Sequence, residues 1–425
     1  MSIGTQVLTG ARDRLLPASV PYAFFGAACL YHLLAWAALL RGAALVPSYA
    51  GGPGPVLAAI HLITLGVLAL TAMGAAYQLL PVASREPLWR VWPARLSFWL
   101  AVPGVALLAW GMDGVRQWAM TAGGGMVAAG LVIFALLIAS NLYRARGLPV
   151  VIAHGWAALV ALTALVTLGL VLIGNYAAGY LGDPGRYALA HMVLGIFGFM
   201  TLLAFGFSHI LIPMFALSRT LPVRWAWAEF ALSALAVAAA VAAVAAGSGP
   251  GMALAATVGI AAVVAYFRLM RAAMRTRMRK RLGLAFVLVR AAWGFLGLTM
   301  ALGLVLAAGL QVPNGQTLFW FLALAGWLLT FLTAVLQRIM PFLATMHAAG
   351  KSGRPPLVSE LSSALPLQVH AVLHLAAVPL IAAGIVLEMA LPVQIGAASG
   401  LVGAGAFGVF ALKVFAGLRR ITRSA

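Results

Sequence analysis

Of 425 residues, 64% are hydrophobic and only 8% are charged, and the mean hydropathy is +1.06. Soluble domains run at about half apolar and about a quarter charged, so this chain lacks the polar surface to cover a water-soluble globule; disorder, collagen, a disulfide scaffold and a soluble nucleic-acid binder are excluded with it. The net charge of +20 then bears on membrane orientation rather than on nucleic acid, because arginines flanking apolar spans set topology.

A spanning helix needs about 20 apolar residues. Twelve runs qualify in chain order: 20–41, 54–81, 94–112, 119–142, 149–176, 187–217, 225–247, 251–271, 282–309, 316–345, 367–389 and 393–416. A short polar stretch with Arg12 and Arg14 precedes the first run, which is too long for a signal h-region, so no separate cleavable signal is expected. The single cysteine, Cys29, lies in that run and excludes an intramolecular disulfide. Pro103 is expected to break the third run, with a neighbouring helix satisfying the freed carbonyl.

With the N-terminus in the cytoplasm, 22 of the 27 Lys and Arg residues fall on the cytoplasmic side. Arg41, Arg116 and Arg186 fall outside, and Arg290 and Arg338 lie within helices. This asymmetry predicts that both termini are cytoplasmic. The densest cluster, Arg268 to Arg281, reads as a topology determinant beside anionic headgroups. Trp89, Trp92, Trp225 and Trp227 read as interfacial belt residues. The short loops leave no room for a soluble domain, so residues 1–425 form one membrane domain in a lipid bilayer, of the bacterial inner (plasma) membrane type.

The second, sixth and tenth runs share a pattern. In each a glycine stands fifteen residues before a proline: Gly66 and Pro81, Gly198 and Pro213, Gly326 and Pro341. Each of these runs is the second of four, so the chain divides into repeats of about 20–142, 149–271 and 282–416. The expected architecture is all-α and polytopic, with twelve transmembrane helices in three four-helix sets of pseudo-threefold organisation. The glycines allow close helix approach, and the prolines are expected to end their helices at the cytoplasmic face.

An ionisable side chain inside a membrane calls for an explanation, and neutral imidazole is the usual ligand of haem and transition metals. His61 and His191 open the second and sixth helices at nearly equivalent repeat positions, in the external third of the bilayer. They are the first candidates for cofactor ligation, with His32, near the middle of the first helix, as a further one. His370 and His374 share a helix face at four-residue spacing and form a candidate metal pair. They are assigned, with His154, His209 and His347, toward the cytoplasmic ends of their helices, and those last three read as interfacial. Glu229 is expected to pair with Arg290 or Arg338; the functional alternative is a proton-path carboxylate, or an arginine holding a haem propionate or anionic substrate. The chain has no Walker A motif, nucleophile elbow, CxxC or CxxCH. ATP hydrolysis, acyl transfer, iron–sulfur clusters and covalent haem are therefore not expected.

Twelve helices in three sets, cytoplasmic termini and an external histidine opening the second helix resemble subunit I of the haem-copper oxidases. The HLITLG segment at His61 and the HMVLGIFGFM segment at His191 are also similar to segments of the NnrS family, membrane proteins of nitric-oxide metabolism that bind haem and copper. The resemblance implies haem b, with copper as a second cofactor, and matches His61 to a low-spin haem ligand and His191 to the neighbourhood of a copper ligand. It also breaks: the seventh helix has no histidine, the tenth has none before His347, and Phe321 stands where the repeat would put the counterpart of His61. An oxygen-reducing binuclear centre is therefore not expected. The leading expectation is a haem- and copper-binding protein in electron transfer or nitric-oxide stress response, served by quinol, a cytochrome or another membrane subunit and not by nucleic acid. Whether it is an enzyme stays open, and no catalytic residue is assigned. The alternatives are a twelve-helix transporter or permease for a metal or small anion, and a structural membrane subunit.

Overall fold

A computed structural model describes residues 14–348 and 360–423. Arg12, Lys351 and Arg354, counted in the charge asymmetry, lie outside the described residues. Every regular element among the described residues is helical, as expected where backbone groups must be satisfied within the segment. Twelve helices are long and apolar enough to cross a bilayer: α1 (Ser19–Arg41), α2 (Pro55–Ser84), α3 (Trp92–Asp113), α4 (Gln117–Arg144), α5 (Pro149–Ala178) and α6 (Pro184–Ala216), then α7 (Val223–Ala246), α8 (Gly249–Arg275), α9 (Leu284–Ala307), α10 (Gly315–Ala348), α11 (Ala364–Val386) and α12 (Ala390–Arg423). The chain is thus an all-α, multi-pass membrane protein. Trp89, Trp92, Trp225 and Trp227 are all exposed, with Arg90 over the Trp89 ring and Arg224 over that of Trp225.

Helices α2, α6 and α10 are the most buried spans. Each contains one eight-residue stretch of π-helix, a widened turn that often marks a functional site: Leu62–Ala69, Leu194–Thr201 and Leu322–Leu329. The fifth residue of each stretch is the repeat glycine, and the three stretches touch one another at the centre of the bundle. The glycines set how closely the preceding helix approaches. A methyl group at Gly66 would lie 2.6 Å from Tyr31 Cβ, at Gly198 2.9 Å from Ala161 Cβ, and at Gly326 3.0 Å from Phe295 Cβ. Tyr31, Ala161 and Phe295 lie on α1, α5 and α9. The outer helices pair most extensively as α3 with α4, α7 with α8 and α11 with α12, and α4–α5, α8–α9 and α12–α1 contacts link these pairs into a ring.

Two proline expectations are corrected. Pro81, Pro213 and Pro341 do not end their helices, which continue to Ser84, Ala216 and Ala348. Pro103 does not break α3. Each ring lies within an otherwise continuous apolar span, where packing against neighbouring helices compensates for one missing donor.

Candidate metal sites within the bundle

Seven of the eight histidines gather into three groups at three depths. The first is made by α2 and α6 near the ends where both begin. His61 lies on the residue before the first π-stretch, and His191 lies three before the second. Their ring centroids are 6.4 Å apart with planes inclined at 26°. His61 Nδ1 is 3.0 Å from Leu57 O, and His191 Nδ1 is 3.1 Å from Leu165 O on α5. A carbonyl can only accept, so each Nδ1 carries the hydrogen and each Nε2 is left as a lone pair. That is how a metal-ligating histidine is usually held. A bound iron or copper centre would find two neutral imidazole donors here, His61 Nε2 and His191 Nε2. On α10 the residue immediately before the third π-stretch is Phe321.

The second group lies at mid-depth, between α1, α10, α11 and α12. His32 does not stand with His61 and His191. It faces His370 at a ring separation of 5.9 Å, and His370 lies 5.5 Å from His374. All three are buried, at 1% exposure or less. His370 Nδ1 donates to Gly403 O at 3.2 Å. Thr330 Oγ1 lies 3.0 Å from Ala325 O, inside the third π-stretch, and pairs with His374 Nε2 at 2.7 Å. This leaves His32 Nε2, His370 Nε2 and His374 Nδ1 without a hydrogen-bond partner among the described residues. His374 is the eleventh residue of a 23-residue helix, so its assignment to a cytoplasmic end is corrected to the helix middle.

The third group corrects two further expectations. His154 and His209 are not interfacial: their side chains are 1% and 6% exposed, and both face Glu229, which is fully buried. Glu229 pairs with neither arginine. Arg338 donates to Leu282 O, and Arg290 is exposed. His154 Nε2 is 3.3 Å and His209 Nε2 3.1 Å from the same oxygen, Glu229 Oε2. Ser233 Oγ donates to the other oxygen at 2.8 Å, and His154 Nδ1 donates to Val150 O at 2.9 Å. The three ligand atoms lie within 4.8 Å of one another. His347 lies in the last turn of α10.

Sequence reasoning missed the third group because it judged each residue by its distance from a helix end. A usable signal was present in the repeat. The 132 residues separating Pro81 from Pro213 also separate Tyr77 from His209 and Ser97 from Glu229.

The fold and these groups define a class: a multi-pass, all-helical membrane protein with histidine clusters between its spans. Comparison with protein-family models and with curated proteins finds no match to this chain.

Proposed function

We propose that this chain is a redox metalloprotein of the membrane, in the class resembling haem-copper oxidase subunit I and NnrS, and that His61 and His191 hold its haem b or copper. The observation that carries this reading is the facing pair itself: two rings 6.4 Å apart, on equivalent turns of two repeats, each with Nδ1 tied to a carbonyl. The contacts that recur every four helices support reading the bundle as three related sets. Bound haem or copper would supply one-electron chemistry and a site for a small ligand such as nitric oxide. The chain's own part is to orient both imidazoles.

The reading includes no oxygen reduction, because α7 brings a carboxylate and not a histidine pair to the core. Absorbance of the detergent-purified protein, oxidised and reduced, with metal analysis on the same sample, tests it. A Soret band with stoichiometric iron, lost in folded His61→Ala and His191→Ala, is expected. A colourless, metal-free protein from a haem-sufficient host would overturn the reading. Sustained quinol-dependent oxygen uptake would overturn its non-oxidase part.

A second reading, a carrier for metals or small anions, is favoured by one observation: the buried Glu229 held between two imidazoles, the kind of intramembrane group that couples transport. Counterflow of zinc or copper in proteoliposomes would distinguish it.

A further inference from the structure

We propose that His154, His209 and Glu229 form a second metal site, for a divalent first-row transition ion bound through His154 Nε2, His209 Nε2 and Glu229 Oε2. The proposal does not rest on the haem reading, since α6 separates His209 from His191 by eighteen residues, about 27 Å at helical rise.

The first argument is electrostatic. His154 already gives its Nδ1 hydrogen to Val150 O, so as a neutral ring it presents a lone pair at Nε2. That lone pair faces a carboxylate oxygen 3.3 Å away in a buried setting. Two acceptors at that range repel unless a cation, either a proton or a metal, lies between them.

Geometry admits the metal. His154 Nε2 and His209 Nε2 both face Glu229 Oε2, buried from solvent, and the three ligand atoms lie within 4.8 Å of one another. Ligands held about 2.0–2.1 Å from one ion at tetrahedral or octahedral angles stand roughly 2.9–3.4 Å apart. The observed 3.1 and 3.3 Å fall in that window.

The supporting contacts are those of a built site. Val150 O fixes the His154 ring, and Ser233 occupies Oε1, which leaves Glu229 to bind through one oxygen. Gly206 makes room: a methyl there would lie 2.7 Å from His154 Cβ.

The first repeat supplies the internal control. Gly74 packs against Phe24 as Gly206 packs against His154, and Tyr77 and Ser97 stand at the stations of His209 and Glu229. Tyr77 and Ser97 satisfy each other with a 2.9 Å hydrogen bond, and Ser97 donates to Ala94 O. The fold thus closes with Phe, Tyr and Ser at these positions. The second repeat places two imidazoles and a carboxylate there instead. Two nitrogens and one carboxylate oxygen suit zinc(II) or iron(II), and three protein ligands leave a coordination position open.

The test is metal content of the full-length protein in detergent, loaded separately with zinc(II) and, anaerobically, with iron(II), then freed of excess metal. Wild type should retain about one equivalent more than His154→Ala, His209→Ala or the near-isosteric Glu229→Gln. His61→Ala and His191→Ala should keep that equivalent, which separates this site from the proposed haem pair. Ser233→Ala, which removes no ligand, should weaken affinity about 10–100-fold. If a ligand variant fails to fold, cobalt(II) replaces the variants: its ligand-field spectrum in wild type should report nitrogen–oxygen coordination and disappear on competition by zinc. Equal metal content in wild type and folded Glu229→Gln, or no bound cobalt in wild type, would overturn the proposal and leave a protonated imidazole–carboxylate cluster.

Discussion

A histidine that donates Nδ1–H to a main-chain carbonyl keeps Nε2 as a lone pair, and His61, His154, His191 and His370 all do so. In apolar surroundings such a lone pair has no water to bind, so it costs stability unless a cation or donor meets it. His374 differs, with Nε2 paired to Thr330 and Nδ1 bare. Replacing Thr330 by Val should leave that Nε2 without its partner and cost about 1–3 kcal/mol, read as a lower unfolding midpoint in detergent. Tyr77→Phe should cost less, about 0.5–1.5 kcal/mol, because Ser97 keeps its bond to Ala94 O. Each substitution removes one hydroxyl, and of the two only Thr330→Val takes the partner from a buried ring nitrogen.

At the scale of the element, the π-stretches and their glycines act together. The widened turns in α2, α6 and α10 meet at the bundle centre, and the glycine in each lets the preceding helix close on it. Gly66→Ala would push Cβ against Tyr31 at 2.6 Å, a contact that cannot persist without moving α1 or α2. It should destabilise by about 1–3 kcal/mol and, under the proposed function, reduce haem or copper retention by shifting His61. Gly26→Ala on α1, where nothing lies within 4 Å, is the control and should leave thermal stability and metal content unchanged. The glycine spacing was legible in the sequence because it repeats at a fixed distance from a proline. The π-turns were not, since a widened turn is set by how three helices meet and no residue type specifies it.

Across the whole molecule, two distributions matter: where charge sits along the chain, and which helices ring the centre. The charge asymmetry predicts that the α8–α9 loop is cytoplasmic and the α9–α10 loop external. Met278 and Leu310, exposed at 76% and 60%, report these two loops. In a Cys29→Ser background, an impermeant thiol reagent outside intact cells should label Leu310→Cys and not Met278→Cys; the opposite pattern would invert the orientation. The contact between the π-stretches of α2 and α6 also explains why His61 and His191 meet although 130 residues separate them.

Composition and apolar run length determined that this chain is a bundle of twelve membrane-crossing helices, because the cost of an unsatisfied backbone in lipid leaves few alternatives. The repeat of glycine and proline identified the inner helices, and the equivalent positions of His61 and His191 marked one pair. Only the tertiary structure decided the other partnerships: His32 with His370 and His374, and Glu229 with His154 and His209 rather than with an arginine. Depth along a helix can be counted from sequence, but the face a side chain presents, and the helix it meets there, depend on rotation and packing. In a bilayer both are set by close contact and small residues, which the order of residues along one helix does not encode.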